Sequence, residues 1–84
     1  MFEISIERAA EKDMRRLSHE VHSRVVAAIH GLGKNPRPSG AKKLKGGAND
    51  WRVRVGEYRV LYEIVDAIRV LKIYRVRHRG DVYR

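Results

Sequence analysis

Residues 51–84, WRVRVGEYRVLYEIVDAIRVLKIYRVRHRGDVYR, hold three runs in which apolar and charged side chains alternate. Alternation at period two sends successive side chains to opposite faces of an extended strand. Each run therefore has one apolar face and one charged face. The breaks at Gly56-Glu57 and Asp66-Ala67 are short enough to be hairpin turns. The pattern predicts strands at 51–55, 58–65 and 68–76, joined as an antiparallel meander. Its apolar face must be covered, and the cover has to come from upstream.

The upstream residues can supply it. FEISI (2–6) alternates and predicts a short strand. From Glu7 the spacing becomes helical, with Ala10, Met14 and Leu17 on one side. Ser18 can cap a second helix through its hydroxyl, with Glu20 favourable in the first turn. Val21, Val25, Ala28, Ile29 and Leu32 then form one apolar stripe. Gly31 and Gly33 weaken the end of that helix, and Pro36 and Pro38 forbid its continuation. The predicted order is strand, helix, helix, strand, strand, strand. This is an α+β fold with a helical hairpin laid on one face of a sheet. All 84 residues fit one domain without repeats. A chain of this size buries only about 60–65% of its unfolded surface, so one core must suffice.

Charge narrows the class of partner. The chain carries +9, and the first 33 residues contribute none of it. Residues 34–59 carry +6, residues 60–68 carry −2, and residues 69–84 carry +5. Excess gathered this way is the footprint of a surface for a polyanion such as nucleic acid. An acidic protein partner is compatible with it. The chain has no cysteine, hence no disulfide and no thiolate metal site. His19, His22 and His30 have no acidic partner spaced to complete a zinc site, so no metal or cofactor is expected. No apolar run spans a bilayer, and charges interrupt the N-terminal stretch where a signal peptide would be apolar. A cytoplasmic protein is expected.

The cations that matter should lie on the open sheet face. If Trp51, Val53 and Val55 turn to the helices, Arg52 and Arg54 turn away from them. Arg59 follows the first turn, and Arg69, Arg75 and Arg77 line the last strand. Guanidinium suits phosphate because its planar fork makes two parallel hydrogen bonds and stays charged. The plainer reading is a solvated face with ion pairs to Glu57, Glu63 and Asp66. The loop at 35–50 adds Arg37, Lys42, Lys43 and Lys45, and Arg79 follows the last strand. That loop lacks the spacing of a phosphate-binding loop, and Leu44 is its expected anchor to the core. Tyr58, Tyr62 and Tyr74 read as sheet packing, and Trp51 as core.

The LKG element at 44–46, GEYRVLYE at 56–63 and HRGDVYR at 78–84 together resemble the RelE family of toxins, within the RelE/ParE superfamily. The resemblance spans essentially the whole chain. It implies an endoribonuclease that enters the ribosomal A site and cuts the mRNA codon by attack of a 2′-hydroxyl on the adjacent phosphate. It also implies an acidic, RelB-like antitoxin partner. The family's functional positions fall on Arg52, Arg54, Arg59, Arg77 and Tyr83. Arg59 and Arg77 would stabilise charge on the phosphorane, Arg77 would supply the leaving oxygen's proton, and Tyr83 would stack on a base or orient the 2′-hydroxyl. Arg37, Lys42, Lys43, Lys45, Arg75 and Arg79 would hold RNA or ribosome.

This chain departs from the family at the proton acceptor. Relatives with lysines on the first strand of the meander can use one as base, whereas Arg52 and Arg54 cannot lose a proton. His78 stands first among the alternatives, since imidazole suits proton transfer near neutrality. Lys42 or Lys43, crowded by like charges, is another. A third is no dedicated base, with ribosome and oriented RNA supplying the effect. Two other functions share the fold: a ParE-type inhibitor of DNA gyrase, and an RNA-binding module without catalysis.

Overall fold

The computed structural model describes residues 1–82. Strand β1 (Glu3–Ile6) leads into helix α1 (Arg8–Arg15) and helix α2 (His19–Lys34). Strands β2 (Lys42–Lys43), β3 (Asp50–Val55), β4 (Tyr58–Val65) and β5 (Val70–His78) follow, with a short helix α3 (Arg79–Val82). They form one five-stranded sheet in the order β1-β5-β4-β3-β2. The meander β3-β4-β5 is antiparallel, as its alternation demanded. β1 runs parallel to β5 because the helical hairpin carries the chain back across the sheet before the meander begins. Among the described residues no helix is long and apolar enough to cross a membrane.

Ser18 caps α2, its hydroxyl accepting from the Val21 N–H at 3.3 Å. Val25, Ile29 and Leu32 of α2, with Ala10 and Met14 of α1, pack on Val60, Tyr62, Ile64, Leu71, Ile73 and Val76 of the sheet. Trp51, Val53 and Val55 join the rim of that core. The apolar sheet face thus meets the helices, and the opposite face is left open. Tyr62 is buried, and its hydroxyl donates to the Pro36 carbonyl at 2.6 Å, holding the loop after α2 to the sheet. Burial pushes its phenol up to about 12, against the charge of Arg37.

Three expectations change. The stretch at 35–50 contains a strand: Lys42 pairs with Arg52 and Lys43 with Trp51, giving the sheet its fifth member. Two residues carry too little pattern to signal a strand. The second turn is longer than two residues. A 3-10 turn, Asp66–Ile68, closes on Arg69, which adopts the left-handed conformation at φ 53°. Arg69 therefore does not line the last strand; its guanidinium carbon lies 4.7 Å from the centre of the Phe2 ring. β5 instead starts at Val70 and runs on to His78. The first turn does have two residues, Gly56 and Glu57, and Gly56 supplies the positive φ of 60° that such a turn requires.

Candidate nucleic-acid interface

Register decides which side chains meet. Arg54 of β3 is directly opposite Arg59 of β4, and Arg59 is directly opposite Arg77 of β5. Val60, opposite both Val53 and Val76, is buried against the helices. Arg54, Arg59 and Arg77 therefore share the open face as one cross-strand line. Two residues along, Lys42, Arg52, Leu61 and Arg75 make a second line across β2, β3, β4 and β5. Cβ atoms directly opposite lie about 4.5–5.5 Å apart, a spacing at which like charges repel. Such a pattern destabilises the sheet unless an anion occupies it.

A cleft of about 230 Å³ opens over these lines, walled by Gly40, Lys42, Arg52, Arg54 and Arg59. Gly40 and Lys42 come from the loop between α2 and β3, so that loop forms one wall. Arg54 donates through Nε to the Gly56 carbonyl at 3.0 Å, which steadies its guanidinium at the turn. Among the described residues none of Lys42, Arg52, Arg54, Arg59 and Arg77 forms an ion pair with a carboxylate. The expected acids Glu57 and Asp66 are engaged elsewhere, so they leave these cations unneutralised. The arrangement can bind a phosphate group from several directions.

Arg75 is placed differently from its neighbours. β1 stops pairing after Ile73, and α1 takes over the exposed edge of β5 there. The Asp13 carboxylate accepts from Arg75 Nε at 2.8 Å, from Arg75 Nη2 at 3.1 Å, and from the Val76 N–H at 2.9 Å. Burial opposes ionisation of Asp13, but the Arg75 and Val76 hydrogen bonds and the charges of Arg75 and Arg77 together hold its carboxyl below the usual carboxylate range. Arg75 thus braces the end of β5 that carries Arg77.

Other expected site residues are held apart from the cleft. His78 is on the helix face, where its ring meets the edge of Tyr58 at 5.3 Å. Its Nδ1 accepts from the Gly80 N–H at 3.3 Å. With Tyr58, Val21, Arg24, Val55, Gly56 and Glu57 it lines a separate cavity of about 330 Å³. The physical reason is alternation: Val76 faces the core, so Arg77 faces out and His78 faces in. Arg79 pairs with Glu57 at 3.4 Å beside that turn. Arg37 lies at the far end of the sheet, roughly 20 Å from the arginine line by strand rise. There it pairs with Asp66 at 3.0 Å and lies 5.5 Å from the centre of the Trp51 ring. The Arg37 hydrogen bond, with that of Asn49, lowers the Asp66 carboxyl below its usual value. Lys43 and Lys45 are exposed, and Lys43, opposite Trp51, turns to the other face from Lys42 and away from the cleft. Tyr83 lies outside the described residues.

Two features escaped the sequence. Asp13 is 62 residues from Arg75, and nothing in the helical pattern of α1 distinguishes it from any solvated acid. Tyr74 is the extra residue at a β-bulge, where Leu61 faces Arg75 but Tyr62 faces Ile73. The bulge turns it from the packing role expected of it to the open face, beside Asp50 and Glu63. Burial, then the charge and hydrogen bond of Asp50, then Glu63, push its phenol up to about 12.

Fold and site together define a small α+β domain whose helices cover one sheet face while the other presents a cleft of unneutralised cations. Comparison with known proteins places it. The family model of the ParE toxin of type II toxin–antitoxin systems matches residues 4–83. Toxin RelG of Mycobacterium tuberculosis is 34% identical over 76 residues, covering 89% of this chain and 87% of that protein. The archaeal RelE–RelB complex from Pyrococcus horikoshii contains a chain that superposes with a TM-score of 0.84 at 26% identity, covering 94% of this chain and 96% of that one. The RelBE2 toxin–antitoxin complex of Mycobacterium tuberculosis gives a TM-score of 0.82 at 29% identity, over 93% and 98% of the two chains. The chain belongs to the RelE/ParE superfamily of type II toxins and, within it, to the RelE family.

Proposed function

We propose that this toxin is a ribosome-dependent mRNA endoribonuclease, restrained by an acidic antitoxin of the RelB type. The observation that carries the reading is the cross-strand line Arg54–Arg59–Arg77 beside a cleft lined by Lys42 and Arg52. A gyrase inhibitor needs a binding surface, not a cluster of guanidiniums aimed into one small cleft. The antitoxin is supported by the RelE–RelB relatives and by the charge of +9, which an extended acidic segment would cover.

In the proposed reaction a ribose 2′-hydroxyl attacks the adjacent phosphorus. The O2′–P bond forms as the P–O5′ bond breaks, leaving a 2′,3′-cyclic phosphate and a 5′-hydroxyl. One proton leaves O2′ and one reaches O5′. Arg59 and Arg77 would hold the phosphorane oxygens, an effect whose loss costs about 10²–10³ in rate per donor. Arg52 and Arg54 would hold flanking phosphate, Arg77 would hydrogen-bond O5′ as negative charge builds on it, and the proton that reaches O5′ would come from solvent water. Of the cleft-lining side chains Lys42 alone can exchange a proton, because arginine stays charged. We therefore assign the proton from O2′ to Lys42, with His78 facing the opposite side of the sheet.

Primer extension on a translated mRNA, with purified toxin and with ribosomes present or omitted, tests the reading. Codon-phased cuts that need ribosomes are expected. Inhibition of gyrase supercoiling with intact RNA would assign the chain to the ParE activity instead.

A further inference from the structure

The open face carries a third cross-strand line, and its sign is reversed. Asp50 of β3 is opposite Glu63 of β4, and Glu63 is opposite Lys72 of β5. By alternation this line lies on the same face as the cations. It is about 7 Å from the Lys42–Arg52–Leu61–Arg75 line and about 13 Å from the Arg54–Arg59–Arg77 line, at 3.3 Å per residue. Tyr74 faces the same side, close enough to Asp50 and Glu63 for their charge to raise its phenol. The Asp50 carboxylate packs close against Gly47, where an added Cβ would collide with it.

We propose that the Asp50–Glu63 line is a stop that ends the RNA track. This rests on the ribonuclease reading. A phosphodiester backbone running along the open face finds donors at two successive lines and then meets two carboxylates. Like charges brought together at a recognition surface cost several kcal/mol and fix register. The toxin therefore grips roughly two phosphates, one per cationic line, and turns the remaining strand off the sheet. Its substrate is a short single-stranded segment presented by something else, and not a long strand lying across the sheet.

The test uses RNA oligonucleotides of increasing length, made uncleavable by 2′-O-methylation, with anisotropy read over a series of salt concentrations. Each phosphate contact on a single strand adds about 0.7 to the slope of log affinity against log salt. For the wild type the slope should stop growing after roughly two contacts. In the isosteric double variant Asp50→Asn/Glu63→Gln the plateau should rise by about 0.7, one further phosphate contact. Loss of the Glu63 charge leaves Lys72, opposite it, available to the strand. A control pair on exposed acids elsewhere, Glu3→Gln/Glu20→Gln, changes the net charge equally and should leave the wild-type plateau. Equal plateaus in wild type and the Asp50/Glu63 variant would overturn the stop. So would an equal rise in the control. RNA binding that is absent, or indifferent to Arg59→Ala, would overturn the ribonuclease reading itself, a result distinct from either.

Discussion

Arg59 and Arg77 stand directly opposite each other on β4 and β5, with Arg54 opposite Arg59 on its other side. Opposed like charges on a sheet each cost about 0.2–1 kcal/mol. The sheet tolerates them because the core beneath is apolar and well covered. Replacing Arg59 with Gln should therefore raise the stability of the free toxin, by about 0.5 kcal/mol, while lowering cleavage. Urea denaturation and the primer-extension rate, measured on one preparation, check both halves. A site whose charge serves only solubility would lose the strain and keep its activity.

Asp13 should matter well beyond its place on a surface helix. Asp13→Ala removes the fork on Arg75 and leaves the Val76 N–H without its acceptor. Hydrogen bonds to charged groups contribute about 1.5–3 kcal/mol, and the partial exposure of Arg75 puts the loss toward the lower figure. The pH dependence has a definite sign. Its folded-state pKa lies below the unfolded value, so its contribution is fully present above about pH 4 and is lost as pH falls through the folded value. Asp13→Asn should flatten the stability profile below about pH 4, as read by urea midpoints from pH 5 to pH 2.

Lys42 and His78 separate the two sources of a base. Lys42→Ala should slow cleavage by about tenfold or more, because Lys42 lines the cleft. His78→Ala should change the rate by less than about threefold, because alternation puts its ring against Tyr58 on the helix face. The expected orders of effect follow from general acid–base catalysis contributing about 10²–10⁴. Single-turnover rates between pH 5.5 and pH 9 distinguish them.

Asn49 ties the cleft wall to the sheet. Its amide donates to the Ile64 carbonyl at 2.6 Å and to Asp66 at 3.1 Å, while its oxygen accepts from Trp51 Nε1 at 3.2 Å. Asn49→Ala leaves partly buried partners unsatisfied and should cost about 1–3 kcal/mol. The loop carrying Gly40 and Lys42 should then exchange its amide hydrogens faster than in wild type.

Much of this fold could be read in the chain because its patterns are local. Period-two alternation in residues 51–55 and 58–65 fixed the faces of Arg52, Arg54 and Arg59, and the stripe from Val21 to Leu32 identified what covers the sheet. What escaped depends on distance in sequence. No local pattern tells that Asp13 will accept from Val76, or that a bulge will rotate Tyr74 to the open face. His78 shows the same limit from the other side. Its chemistry suits a base, but one residue of offset from Arg77 places it across the sheet. Arg37, Arg75 and Arg79 were grouped with the free cations by charge alone, and each is held by an acid that only the folded chain brings near.

The most direct test of the catalytic line is the rate of ribosome-dependent cleavage by Arg59→Ala and Arg77→Ala toxins, each shown folded by circular dichroism. The expected result is a fall of about 10²–10³ for each variant, with binding to ribosomes weakened far less. Cleavage at the wild-type rate in either variant would contradict the assignment of the Arg54–Arg59–Arg77 line as the active centre.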